Sequence, residues 1–331
     1  MPFRRPAIFI YDRGYMFRIQ FLLCLILSVV ITGSSRAQSD SKMPADASTI
    51  ARKAATLAES GHCVQALPVL KKSLRVEDKE LRRKIALDGV RCAMTLHQPD
   101  SALEFLHLLA REFPQDPDAL YVAIHAYSDL SASSSQELAR TAPSSYQAHE
   151  LLAESFESQG KWEDAEKEYR GILKQNPNLP GIHFRLGRAL LSVPNPSPDA
   201  AAEAKKEFEQ ELQIDPNNAG AEYVLGELAR QSQQWDEAVK HFSHAAKLDS
   251  QFGEAFLGLG SSLLSEKQYA DAIAPLEVAV RLEPKNPDAH YNLAMAYTRA
   301  GRKEDGEKEF AIHRRILGND GGAADQATEA K

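Results

Sequence analysis

The residues that could do chemistry in this chain are few. His241 and His244 stand three apart, close enough to share one helical face and to begin a metal site. No obvious further ligand stands nearby, so no metal is expected there, and exposed histidines on a helix are the ordinary case. Glu163, Asp164, Glu166 and Glu168 crowd one stretch, but Lys161 and Lys167 interleave with them, which is the pattern of a solvated face. There is no H-E-x-x-H, no phosphate-cradling glycine loop and no G-x-S-x-G. The glycines fall instead at helix crossings and turns, so neither a catalytic group nor a cofactor is expected.

What the chain does show is a period. Residues 253–286, GEAFLGLGSSLLSEKQYADAIAPLEVAVRLEPKN, moved forward by 34, bring Phe256, Leu259 and Gly260 onto His290, Leu293 and Ala294. Moved back, they meet Leu225, Gly226, Ala238, Phe242 and Ala245, with Trp235 in the place of Tyr269. Phe256, Leu259, Gly260 and Leu263 share one helical face, and Ala272, Ile273, Leu276 and Ala279 share another. Gly260 and Ala272 are small because two closely crossing helices leave no volume for a side chain. Ser265–Gln268 makes a short polar turn between them, and Pro284 ends the second helix. One such hairpin cannot bury its apolar face alone, so hairpins must stack.

In this pattern the chain resembles the tetratricopeptide repeat (TPR) family. Residues 146–179 carry the clearest copy, with Leu152, Ala153, Phe156, Gly160, Trp162, Ala165, Tyr169 and Pro177 at the family's offsets. Repeats are read at 47–80, 83–116, 117–145, 146–179, 180–218, 219–252, 253–286 and 287–318. The fold this implies is all-α: a right-handed α-solenoid of stacked helix-turn-helix hairpins. The resemblance implies binding and says little about the partner.

In the family the first helix of each hairpin lines a concave groove. The position after the first core residue holds Tyr121, Glu150, Phe184, Tyr223, Leu257 and Tyr291, and Arg188, Glu227, Arg230, Asn292 and Arg299 lie near it. Such an aromatic series offers amphipathic contact area to an extended peptide or a helix, although aromatics here are also part of the family's general pattern. The resemblance therefore implies a non-catalytic scaffold or adaptor with a protein or peptide partner. A glycan- or cell-wall-binding accessory subunit is the alternative, since aromatic grooves also stack on sugars.

The amino terminus is read separately. Arg13 and Arg18 precede an apolar run, Phe21–Ile31, and Ser35-Arg36-Ala37 supplies small residues at a cleavage site. That order describes a secretory signal peptide over residues 1–37, with Met1 or Met16 as its start. The run is short of the roughly 20 apolar residues that span a bilayer, so no membrane span is expected after cleavage, and the protein is expected in the periplasm or secreted. The formal net charge is −7, and loss of the arginine-rich leader makes it more acidic, which argues against nucleic-acid partners. Residues 38–46 read as a polar linker and 319–331 as a disordered tail.

Two repeats are irregular. In 117–145 the second helix is short and polar, around Ser134–Ala142, from drift or because it forms a hinge. In 180–218 the surplus residues lie in Ser192–Pro198, whose three prolines forbid helix. Of the three cysteines, Cys24 falls in the leader, which leaves an even pair in an exported chain. By the repeat offsets Cys63 stands where other copies carry Trp162, Trp235 or Tyr269, and Cys92 where they carry Ala126, Ala189 or Ala296. A Cys63–Cys92 disulfide is expected, with two buried thiols as the alternative.

Overall fold

A computed structural model describes residues 45–194 and 196–325, and all the regular structure among them is α-helix. The leader 1–37 and residues 38–44 lie outside the described residues. The chain divides into two compact units, ending and beginning at Pro114 and Gln115.

The first unit holds two hairpins, α1 (Ala45–Glu59) with α2 (Cys63–Lys72), and α3 (Lys79–Thr95) with α4 (Pro99–Glu112). Gly61, at φ +79°, supplies the left-handed residue of the first turn. Asp78 starts α3 by accepting from the Leu81 amide at 3.0 Å. Ala54, Leu70, Ile85, Phe105 and Leu109 are buried at its centre. A side chain at Gly89 would overlap the Phe105 ring, so glycine there sets how closely α3 and α4 cross. The Cys63–Cys92 disulfide is formed and joins α2 to α3, with Cα atoms 4.9 Å apart.

The second unit begins with a single helix, α5 (Pro117–Thr141), followed by five hairpins. These pair α6 (Tyr146–Ser158) with α7 (Trp162–Gln175), and α8 (Ile182–Ser192) with α9 (Ala200–Ile214). Then come α10 (Ala219–Gln231) with α11 (Trp235–Leu248), α12 (Gly253–Ser265) with α13 (Tyr269–Leu282), and α14 (Pro287–Arg299) with α15 (Lys303–Asp325). Each second helix packs on the first helix of the next hairpin, so the apolar stripes are buried by stacking. One device recurs: Gly187, Gly226 and Gly260 leave room for Phe208, Phe242 and Leu276 from the second helix of the same hairpin. Phe208 and Phe242 are thereby fully buried.

Three boundaries differ from the sequence reading. The segment 117–145 is not a hairpin; α5 runs unbroken for 25 residues. In four of the other five hairpins of this unit the first helix is followed by a left-handed residue, Gly160, Gln233, Lys267 or Gly301, and α8 leads instead into the proline-rich 192–198 insertion. The equivalent Ser131 lies inside α5. The serine hydroxyls there bond back along the helix, Ser134 to the Leu130 carbonyl and Ser135 to that of Ser131. Ile124 also stands where working hairpins have Gly or Ala, and leaves no room for a close crossing. At the other end α15 continues to Asp325, past Gly318 where a tail was expected, and residues 326–331 lie outside the description. The linker, read as ending at residue 46, gives way to helix at Ala45.

Candidate binding groove

The first helices α10, α12 and α14 touch one another in sequence, so equivalent residues on them form rows. The row read as a ligand ladder proves to have two sides. Phe184 meets Phe208 edge-on at 5.7 Å, Tyr223 lies 5.7 Å from Phe242 and 4.9 Å from Phe252, and Tyr291 lies 5.8 Å from Phe310. Each ring therefore braces the second helix of its own hairpin. Leu257 likewise packs against the cluster around Leu263 and Leu276. In this row Tyr291 remains 45 % exposed and Tyr121 64 %; Tyr291 also meets the His313 ring at 5.5 Å. Phe184, Tyr223 and Leu257 are half-buried.

The charged candidates gather around these rings. Arg188 places its guanidinium 5.9 Å from the Phe184 centroid, a cation–π contact, and its Nε is buried without a hydrogen-bond acceptor. Arg230 is held by Glu227 through bonds of 2.7 to 3.2 Å, and that carboxylate raises the arginine's pKa. Burial, then the nearby Glu227 charge, pushes the Tyr223 hydroxyl well above its ordinary pKa, so it remains a neutral hydrogen-bonding group. Glu150 does not stand alone: Arg185 lies 3.8 Å from it and 2.7 Å from Glu154. Burial raises the Glu150 carboxyl above the usual range against the pull of Arg185. Tyr121 is not brought to the others; it stands on α5 with its ring 4.4 Å from His125 of the same helix. Asn292 is half-buried and Arg299 exposed at the end of α14.

His241 and His244 both turn to one carboxylate, Glu222, at 2.6 and 3.2 Å. This explains their spacing without a metal. The acidic stretch resolves in the same way, with Asp164 on Lys167, Glu166 on Arg170 and Glu168 on His149.

The sequence reading missed two sets of residues. One is a His–Glu pair that bridges the helices of four hairpins: His149–Glu168, His183–Glu207, Glu222–His241 and His290–Glu309. Its trace was a 19-residue separation, widened to 24 where the Ser192–Pro198 insertion intervenes. The other is Glu211, fully buried on α9, whose carboxylate accepts from the Gly181 and Phe184 amides at 2.8 and 3.2 Å. Gly181, at φ +87°, has no side chain to cap α8, and Glu211 does so from the neighbouring helix.

Comparison with known proteins places these hairpins. Three tetratricopeptide repeat family models match, at residues 138–189, 223–287 and 263–326. A curated relative, the protein CTR9 homolog of Arabidopsis thaliana, is 32% identical over 121 residues, 34% of this chain; the match covers 10% of that protein, so the chain spans about a tenth of its relative's length. Among solved structures, YrrB, described as a TPR protein with an unusual peptide-binding site, is similar at 19% identity and a TM-score of 0.48, over 55% of this chain and 91% of its own. A MamA crystal structure is similar at 19% identity and a TM-score of 0.46, over 52% and 91%. MamA from Desulfovibrio magneticus RS-1 is similar at 18% identity and a TM-score of 0.48, over 53% and 96%. Across residues 138–189 and 223–326, this chain is thus similar to tetratricopeptide repeats.

Proposed function

We propose that the protein is a non-catalytic scaffold of the cell envelope that holds a segment of a partner protein along the first helices of its second unit. The observation that carries this reading is the change of chemistry along that face. Glu150 and Glu154 with Arg185 stand at one end, Phe184 under Arg188 and Tyr223 beside Glu227 and Arg230 follow, and Leu257 and exposed Tyr291 stand at the other end. Apolar and aromatic area interspersed with oriented charges suits an extended peptide or an amphipathic helix. The buried, unpaired Nε of Arg188 would take a ligand carbonyl or carboxylate as its acceptor.

Export is part of the same proposal. The leader read in residues 1–37 and the Cys63–Cys92 bridge both suit an oxidising compartment. Peptide and glycan arrays probed with the mature protein and with Tyr223→Ala and Tyr291→Ala variants test the reading. Selected peptides whose signal falls in both variants, with helical circular dichroism unchanged, support it. Binding only to glycans, or to peptides equally in all three proteins, overturns it.

A further inference from the structure

Most of the large apolar side chains that the second unit leaves exposed are gathered on α5 and α6. Leu120, Ile124 and Tyr127 of α5 are 50, 66 and 46% exposed, and Leu152 of α6 is 44% exposed. The later repeats provide an internal control. At the place of Leu152 they carry Leu186 and Leu225, both nearly fully buried in one cluster with the second-helix residues Ile172 and Phe208 of preceding hairpins. Ile124 stands at the place of Gly187, Gly226 and Gly260, which the second helix of each hairpin covers. The exposed residues thus outline the absence of one helix, because α5 runs straight on where its second half should fold back.

We propose that the helix which covers this face is α5 of a second copy of the chain, packed antiparallel. The sequence of the face is self-complementary. Leu120, Ile124, Tyr127, Ser131, Ser134 and Leu138 follow each other at alternating steps of four and three, the spacing of a coiled-coil seam. Each is exposed or half-buried, while Ala119, Val122 and Ala126 are buried on another side of the helix. Placed about a two-fold axis at Asp129, the seam puts Ile124 opposite Ser134, Tyr127 opposite Ser131, and Leu120 opposite Leu138. Ile124 and Tyr127 each meet a serine, reversing the small-first, large-second order of the working hairpins, while Leu120 and Leu138 close the two ends of the seam. The helix is long enough: 25 residues at about 1.5 Å each give a helix of roughly 37 Å, of which the seam from Leu120 to Leu138 takes about 27 Å. A two-fold contact of this kind is closed, so it yields a dimer and not a filament.

Sedimentation equilibrium of the mature protein over a concentration series tests this. A dimer is expected, with Ile124→Asp weakening it by roughly 100-fold or more because a charge would be buried unpaired; Tyr223→Ala, in the groove, should leave it intact. A monomeric parent, or an Ile124→Asp variant as dimeric as the parent, overturns the proposal, and the first result also covers the case of some other occupant. Cysteine crosslinking fixes the direction independently of variant stability. Ser128→Cys, beside the axis, should form an interchain disulfide on its own, and Leu120→Cys only when mixed with Leu138→Cys. Self-linking of Leu120→Cys would show a parallel arrangement and contradict the proposal.

Discussion

His290 Nδ1 lies 2.6 Å from Glu309 Oε2, joining α14 to α15, while its Nε2 lies 3.1 Å from the Pro284 carbonyl at the end of the preceding hairpin. One ring thus ties three segments together, and His183 repeats the arrangement with Glu207 and the Pro177 carbonyl. In the 219–252 repeat the partners have exchanged places, with Glu222 on the first helix and His241 on the second. The 253–286 repeat carries Phe256 and Pro275 at these two positions and makes no such pair.

The exchange predicts that the pair is read by complementarity and not by position. His149→Glu alone should set two carboxylates together and cost about 1 kcal/mol or more. Adding Glu168→His should restore most of that loss. Urea denaturation of the parent and the two variants checks it; a double variant no better than the single would show that each residue acts through other contacts.

Asp88 gives the first unit a pH dependence. Its side chain is buried on α3, with Oδ2 lacking a hydrogen-bond partner, and burial raises its pKa against the pull of Lys84 and Arg91. The folded chain therefore holds this proton more tightly than the unfolded chain does. The stability that it contributes is present below the unfolded carboxyl value of about 3.9 and is lost as pH rises through the folded value. Asp88→Asn should be more stable than the parent at pH 7, with the gap closing toward about pH 4. Denaturation midpoints at both pH values decide it, and a less stable Asn variant at pH 7 would mean that the Lys84 and Arg91 pairs outweigh burial.

Glu211 stands in the core where other repeats place Ile172, Ala245 and Ala279. By pattern alone Glu211→Ala would look harmless. The structure predicts a loss of about 1–3 kcal/mol, because the start of α8 loses its acceptors. Hydrogen exchange should show the Gly181 and Phe184 amides opening first. Unchanged stability would contradict this capping role.

The disulfide closes a loop with a sequence separation of 29. Its loss in Cys63→Ser/Cys92→Ser should cost roughly 3–4 kcal/mol in the chain-entropy model. Mature protein alkylated without reduction should gain no label, and two labelled thiols would contradict the bridge.

The stacking was legible because it rests on residues that cannot be exchanged. Gly226 must be small and Phe242 large wherever two helices cross closely, so these positions recur at a fixed period. The Cys63–Cys92 bridge was legible for the same reason, since the offsets place the start of α2 beside the end of α3. The groove was harder to read: a tyrosine that braces Phe242 and a tyrosine that meets a ligand look alike in sequence, and Tyr223 braces Phe242 and Phe252 while staying half-buried on the groove face. Hardest was α5, where the period continues through Leu120 and Tyr127 yet no turn residue follows. A repeat pattern records which residues would pack if a hairpin formed. It does not record the left-handed residue that the chain needs in order to turn.

Site-specific photocrosslinking in the native host tests most directly whether the face of the first helices receives the partner. A benzophenone side chain at Tyr291, and in a separate variant at Lys167 on the outward side of α7, can be activated in intact cells. A discrete protein adduct from position 291, absent from position 167, is the predicted result. Equal adducts from both positions, or none from position 291, would contradict the account.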